Sequence, residues 1–356
     1  MKQGALLKLS VFAVTSLETL LALAQTASAQ SASAMKLDPP KEESLNRFGI
    51  SFGMTFNATV DFKHLGAFAT PGASRLTPDG DHFNYDDGYV LTDSTGNLLG
   101  LTRYWGYDSS SQVPGDGTIV MHRSSSTGAT AKDRDDDPQP GFELTYNREL
   151  GRNEKLRWGL EMAFGFMNVS VNDSHPIPLG VSRLTDAYPL GIVVPPPAPY
   201  YHGANLSPEG NPVIGATPVT SAAGNALATV NGSRRFDADL YEFRLGPYLE
   251  IPFGRKWAVT LSGGLALVDV NSDFSFKETV SISGIAPAAD SGSHSDLLVG
   301  GYAAGNVSYK LNEVWGLFTG VQFHAVGNYS QRESGRTAVL NLGETVFLVF
   351  GASYSF

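Results

Sequence analysis

FGISFGMTFNATVDF, Phe48–Phe62, carries an apolar side chain at every second position: Phe48, Ile50, Phe52, Met54, Phe56, Ala58, Val60 and Phe62. Between them stand Gly49, Ser51, Gly53, Thr55, Asn57, Thr59 and Asp61. A strand turns successive side chains to opposite faces, so one face of this segment is apolar and the other small or polar. Soluble strands average about five or six residues. A strand that crosses a bilayer needs roughly 9–11, and this run is long enough. It predicts a membrane-crossing strand with lipid on one face and a polar lumen on the other.

Seven further segments repeat the pattern. Phe142, Leu144 and Tyr146 alternate with Glu143, Thr145 and Asn147. Leu156, Trp158, Leu160, Met162, Phe164 and Phe166 alternate with Arg157, Gly159, Glu161, Ala163 and Gly165. Tyr241, Phe243, Leu245, Pro247, Leu249, Ile251 and Phe253 enclose Glu242, Arg244, Gly246, Tyr248 and Glu250. The remaining stripes begin at Trp257, Leu297, Trp315 and Val346, the last running through Leu348, Phe350, Ala352 and Tyr354 to Phe356. A soluble sandwich turns its apolar face inward and its charges to water. Here the charges sit on the face that would line a narrow lumen.

The connections alternate in length. Long links cover about 63–140, 170–235, 273–295 and 330–342, and short turns lie at Gly151-Arg152-Asn153, Gly254-Arg255 and Asn312-Glu313. Short periplasmic turns, long external loops and an even strand number describe a transmembrane antiparallel up-and-down β-barrel. The expected fold is therefore all-β, with eight strands and both ends on the periplasmic side. Trp158, Trp257 and Trp315 each start a strand beside a short turn, and Phe253, Tyr309, Tyr354 and Phe356 fall on the same rim. That is the place of an interfacial aromatic girdle. Residues Gly100 to Met121 of the first long link are β-prone and predict hairpins of their own.

The ends agree with export. Lys2 and Lys8, the mostly apolar stretch Leu9 to Ala24 and the small-residue site Ala27-Ser28-Ala29 read as a signal peptide over 1–29, interrupted by Glu18. Residues 30–46, with Pro39-Pro40, read as a flexible periplasmic segment, and 47–356 as the barrel. The 356 residues include no Cys, which excludes disulfides, thiolate metal sites and a thiol nucleophile. A net charge of −10 argues against nucleic acid as a partner. Beyond the signal no run of 18 apolar residues occurs, so a helical membrane protein is not expected.

The last strand, GETVFLVFGASYSF, resembles the C-terminal signature of bacterial outer-membrane barrels, with Phe356, Tyr354, Phe350 and Leu348 in its repeating positions. The resemblance implies the barrel-assembly machinery and periplasmic chaperones as partners, and lipid and lipopolysaccharide as surroundings. In architecture the chain resembles the small eight-stranded barrels of the OmpA, OmpX and OmpW kind, through its strands alone. YDDGYV at Tyr85–Val90 and YWGYDSSSQ at Tyr104–Gln112 resemble uncharacterised outer-membrane proteins with no assigned activity. A peptidoglycan-binding domain, present in two-domain members of the class, is not expected after the barrel.

An eight-stranded barrel is just wide enough to be filled by side chains. The inward charges Glu143, Arg157, Glu161, Glu242, Arg244 and Glu250 are expected to form an ion-pair network or to line a narrow water path. His324, on the inward face of strand seven with Gln322 and Asn328 nearby, is a candidate for a rim enzyme, although neither GxSxG nor HExxH occurs. The acidic clusters Asp79, Asp81, Asp86, Asp87 and Asp133, Asp135, Asp136, Asp137 lack calcium-loop spacing and read as solvated surface. No metal, cofactor or catalytic residue is expected. The functions left are a structural or surface-interaction barrel acting as a monomer, a narrow channel for small or hydrophobic solutes, and, behind both, the rim enzyme.

Overall fold

A computed structural model of the chain describes residues 45–69, 82–91, 100–136, 138–201, 212–343 and 345–356. The signal peptide, Pro39-Pro40, Asp79, Asp81 and Asp137 lie outside the described residues.

Eight antiparallel strands close into a ring. They are β1 (Asn46–Phe56), β2 (Gln139–Arg152), β3 (Arg157–Asp173), β4 (Thr220–Phe253), β5 (Trp257–Val280), β6 (Ala288–Lys310), β7 (Trp315–Ala325) and β8 (Thr345–Ser355). Each pairs with its neighbour in the chain, and β8 returns to β1 with Phe48 opposite Tyr354 and Phe52 opposite Phe350. The sheet itself has ten strands, because Ile177–Pro189 and Thr118–Ser125 add to the far end of β4. Two of the short turns are built alike. The side-chain oxygen of Asn153 accepts from the backbone N–H of Lys155 and Leu156, and that of Asn312 from Val314 and Trp315. Each adds to the backbone hydrogen bonds that close the turn, Asn153 N–H to Leu156 O at 2.8 Å and Asn312 N–H to Trp315 O at 3.2 Å.

The strands differ greatly in length. β1, β7 and β8 have 11 residues each, the length of a membrane crossing. β4 has 34, β5 24, β6 23 and β3 17. One side of the barrel wall therefore continues well past the other. Much of what reads as long loops is a continuation of these strands, including Ser170–Asp173, Thr220–Arg235 and Asp273–Val280.

Along those tall strands the polarity inverts without a break in alternation. On β4, Tyr241, Phe243, Leu245, Ile251 and Phe253 point outward and are exposed, while Arg244, Tyr248 and Glu250 are buried inside. Higher up, Asn231, Ser233 and Arg235 point outward, and Phe236, Ala238 and Leu240 are buried. On β5 the outward face changes from Leu261, Leu265 and Leu267 to Asp269, Asn271 and Asp273. Its inward face changes from Thr260 and Ser262 to Ala266, Val268, Val270, Phe274 and Phe276. β3 does the same between Phe164 and Asn168. Below the change the outer medium is lipid and the inside is polar. Above it the outer medium is water, and the strands bury an apolar face as any soluble sheet does.

That apolar face is covered by a second sheet of four strands, in the order Asn328–Glu333, Arg336–Asn341, Thr59–Leu65 and Ala129–Arg134. The sandwich interior includes Val60, Phe62, Leu65, Tyr329, Ala338 and Leu340 from the cover, against Phe236, Val268, Phe274 and Phe276 from the wall. Phe62 stacks on Phe274 at 5.8 Å between ring centroids. The opening stretch is thereby corrected: Phe48–Phe62 is not one lipid-facing stripe. β1 ends at Phe56, and Asn57 turns the chain with φ of 64°, a conformation Asn tolerates better than most residues. Ala58, Val60 and Phe62 are then fully buried in the sandwich.

Candidate functional site

Two places concentrate polar chemistry or aromatic surface: the lumen below the sandwich, and a head beyond it.

In the lumen, β2, β4 and β7 bring Glu143, Arg244, Glu242, Gln322 and His324 together. Arg244 is 1% exposed, donates to Glu143, and holds Glu242 at 4.0 Å. Gln322 Nε2 donates to Glu143 Oε1 at 3.2 Å. His324 Nδ1 lies 2.9 Å from Glu242 Oε1, and its ring stacks on Phe347 at 4.2 Å. The Arg244 guanidinium also lies over the Tyr302 ring at 4.6 Å. Nearer the short turns, Glu161 accepts from Asn147 and Ser262, both at 2.8 Å. At that end Glu250 meets Arg47 at 2.5 Å and Arg157 at 3.8 Å.

Of the six charges read as inward, Glu143, Glu161, Glu242, Arg244 and Glu250 reach this interior, though not as one cluster. Arg157 sits at the short-turn mouth, partly exposed, and not within the lumen. The residues not singled out in the sequence were Arg47, Asn147, Ser262 and Tyr302. Arg47 was detectable, since it has the inward phase of Gly49 and Ser51 on β1. The others carry no charge to draw attention. His324 lies beneath the apolar sandwich, 4% exposed, and not at an external rim. Asn328, its neighbour in sequence, is exposed on the covering sheet.

Two small cavities flank the network. One, of about 40 Å³, is lined by Glu143, Glu242, Gln322 and His324 on one side and by Leu240, Val268, Val326 and Leu342 on the other. The second, of about 40 Å³, is lined mainly by polar groups, among them Arg47, Asn147, Glu161 and Thr260. Each has room for about one or two waters. The lumen is thus polar at the short-turn end and stoppered by packed apolar side chains at the other.

The rim residues fall where a girdle needs them. Trp257 packs on Tyr309 at 4.8 Å and on Phe253 at 6.4 Å. Trp315 packs on Tyr354 at 5.1 Å, and Tyr354 on Phe356 at 6.1 Å. Trp158 lies against Gly151 at the same rim. Asn46 and Phe356 exchange backbone hydrogen bonds at 2.9 and 3.2 Å, closing the seam between the first and last strands. With its lipid belt, its girdle and its closed seam, this is an outer-membrane β-barrel.

Solved structures with which it can be aligned are barrels too. Ail, the attachment invasion locus protein of Yersinia pestis, aligns over 87% of this chain and 99% of its own at 9% identity and a TM-score of 0.26. The outer membrane protease OmpT of Escherichia coli aligns over 91% of this chain and 100% of its own, at 11% identity and 0.34. The P. putida toluene transporter TodX aligns over 89% and 91%, at 9% identity and 0.19. These likenesses are remote and transfer no activity. No protein-family model matches the sequence, and no curated protein does.

The head has its own core. YDDGYV forms a hairpin, His82–Tyr85 with Gly88–Leu91, and YWGYDSSSQ supplies Trp105–Tyr107, which pairs with Gly88–Val90 and with Tyr200–Tyr201. Tyr85, Val90, Trp105, Tyr107, Ile119, Met121, Tyr188, Leu190 and Ile214 form the cluster. Trp105 is fully buried, and its indole N–H donates to Pro212 O at 3.0 Å. Asp186 ties the head to the tall sheet, accepting from Tyr85 at 2.7 Å, Arg123 at 3.0 Å and Ser221 at 2.5 Å. Burial, with hydrogen bonds to Tyr188 and Asp186, pushes the Tyr85 hydroxyl well above its usual range.

The acidic clusters are partly structural. Asp87 Oδ2 meets His122 Nδ1 at 2.6 Å, and Asp136 Oδ2 accepts from the N–H of Asn172 at 3.1 Å, covering the edge of β3. Asp86 is buried, and neither carboxylate oxygen has a hydrogen-bond partner among the described residues. Among those residues no group of three or more His, Asp or Glu is placed to hold a metal ion.

Proposed function

We propose that this outer-membrane barrel works by contact, as a structural or surface-interaction protein whose external sandwich and head meet the envelope or a ligand, and that its lumen carries no solute. One observation carries the reading: the apolar packing of Val268, Val326, Leu340 and Leu342 directly above His324 and Glu242. A water path would have to cross that packing, and hydration of such a layer costs roughly 25 cal/mol per Å² of apolar surface exposed. The lower half is occupied by the ion-pair network, which satisfies charges that a narrow barrel could not leave bare.

In this reading the chain is exported, its C-terminal strand is what the assembly machinery recognises, and His324 is a link in the network and not a catalyst. Planar-bilayer recording of the refolded protein is expected to show no conductance steps above background. Steady unitary conductance would overturn the reading. His324→Ala is expected to leave the composition of envelope lipids unchanged.

A further inference from the structure

β4 outlasts one of its neighbours. β5 leaves the ladder at Val280, opposite Val230, where Ser281 donates its N–H to Thr229 O at 3.0 Å. The chain then leaves the wall and brings Gly284 against the Asp86 carbonyl. β4 continues to Thr220, paired there with Ile177–Ala187 alone. Among the described residues, nothing pairs with the other edge of Thr220–Ala228.

An open strand edge is a template for another strand, and proteins usually blunt it with charge, Pro or a bulge. This edge has none of these: no charged residue occurs from Pro212 to Ser233, and no Pro from Thr220 to Ala228. In a chain of net charge −10, it is a strip where two copies can meet without repulsion. Its side chains are also self-complementary about Gly224. Antiparallel pairing there sets Ala222 opposite Ala226, and Leu227, 90% exposed, opposite the small Ser221.

We propose that Thr220–Ala228 pairs antiparallel with the same strand of a second copy, across a two-fold axis at Gly224. This rests on the surface-contact reading and names its partner. The geometry also sets where that partner stands. β4 is a wall strand, so its sheet runs along the barrel axis and the sheet normal lies in the membrane plane. A two-fold along that normal inverts the second copy. The second barrel then belongs to an opposed membrane, and the pairing joins two membrane surfaces while each barrel stays single in its own.

The test uses outer-membrane vesicles shed by cells making the full-length chain, so that the native face points outward. Wild-type vesicles are expected to cluster. A Cβ at Gly224 meets nothing within 4 Å, so Gly224→Lys and Gly224→Asp are expected to fold. Each should abolish clustering of its own vesicles, because like charges directly opposite each other repel, and mixing the two should restore it. The chain has no Cys, so Gly224→Cys reports one contact. Paired Cα atoms lie about 4.5–5.5 Å apart, within disulfide reach. A disulfide should form between differently tagged copies from two vesicle populations, and only when these are mixed. Dispersed wild-type vesicles, clustering indifferent to both charges, or a disulfide formed within dispersed vesicles would each overturn the proposal. Conductance would remove the closed-lumen reading and leave clustering untouched, so the two fail separately.

Discussion

Arg336 on the covering sheet binds Glu278 at the top of β5, its Nε donating to Oε1 at 2.6 Å. The same oxygen accepts from the N–H of Gly66 at 2.9 Å, and Glu278 is 2% exposed. One carboxylate on the wall thus holds two elements of the cover. The ion pair sits at the far end of the apolar interior, as the Arg244–Glu143 pair sits at its lower end.

Arg336→Ala is expected to lower the stability of the sandwich by about 3–5 kcal/mol, the usual cost of leaving one member of a buried pair alone. Limited proteolysis checks it. The hairpin turn at Ser334-Gly335, between Asn328–Glu333 and Arg336–Asn341, should be cut faster in the variant, while the detergent-resistant barrel persists on unboiled gels.

Phe62 and Phe52 carry the same residue in the same alternation, ten positions apart. Phe62 is fully buried against Phe274, whereas Phe52 is 73% exposed on the lipid face. Phe62→Ala should cost about 3–5 kcal/mol through lost burial and the cavity left, and Phe52→Ala markedly less. Urea unfolding of the two variants in one detergent measures the contrast. Equal losses would contradict the turn at Asn57.

Removal of Arg244 leaves Glu143 and Glu242 facing each other inside the barrel. Arg244→Met alone should destabilise by about 3–5 kcal/mol. Adding Glu143→Gln should recover part of the loss, since it removes one uncompensated charge. A double-mutant comparison by denaturant titration tests the coupling.

Asp173 gives the upper layer an acid limit. Burial works to raise its carboxyl, but hydrogen bonds from His175 and the guanidinium groups of Arg234 and Arg134 outweigh it and hold the group below the usual carboxylate range. A depressed carboxyl contributes stability that is present above its unfolded value, about 3.9, and is lost as pH falls through the folded value. Proteolytic protection of the sandwich should therefore fall in that acid window, and Asp173→Asn should flatten the dependence.

Asp86 has the opposite sign. Burial pushes it up, against the nearby Ser124, which favours the charged form without making a well-aligned hydrogen bond. Asp86→Asn should stabilise the head at neutral pH by about 1 kcal/mol, since it removes an unpaired buried charge. Thermal unfolding followed by the fluorescence of Trp105 in a variant lacking the other tryptophans would show a higher midpoint.

Much of the barrel was legible in the sequence because lipid allows few solutions. A strand in a bilayer must alternate, must be long and must pair on both edges, and Phe48–Met54, Leu160–Phe164 and Leu348–Phe356 show that directly. Trp257 and Trp315 mark the rim because an indole is stable at an interface. The lumen charges were legible as a set but not as partners, because alternation gives a face and not a distance. Arg47, on β1, meets Glu250, on β4, only once the ring has closed.

Alternation says that two faces differ, and in these stretches it says so without reference to surroundings. Which face is the inside depends on the medium outside. At Tyr241 that medium is lipid and the apolar side chain points out; at Phe236 it is water and the apolar side chain points in. The local pattern differs only by a shift of phase, which reads equally well as the start of a loop. Tertiary structure alone decided that β4 runs straight through the change, that Ala58, Val60 and Phe62 fold back to cover it, and that Thr220–Ala228 keeps one edge open. Each depends on a partner distant in the chain, and the free energy of burying a face exists only once that partner is in place.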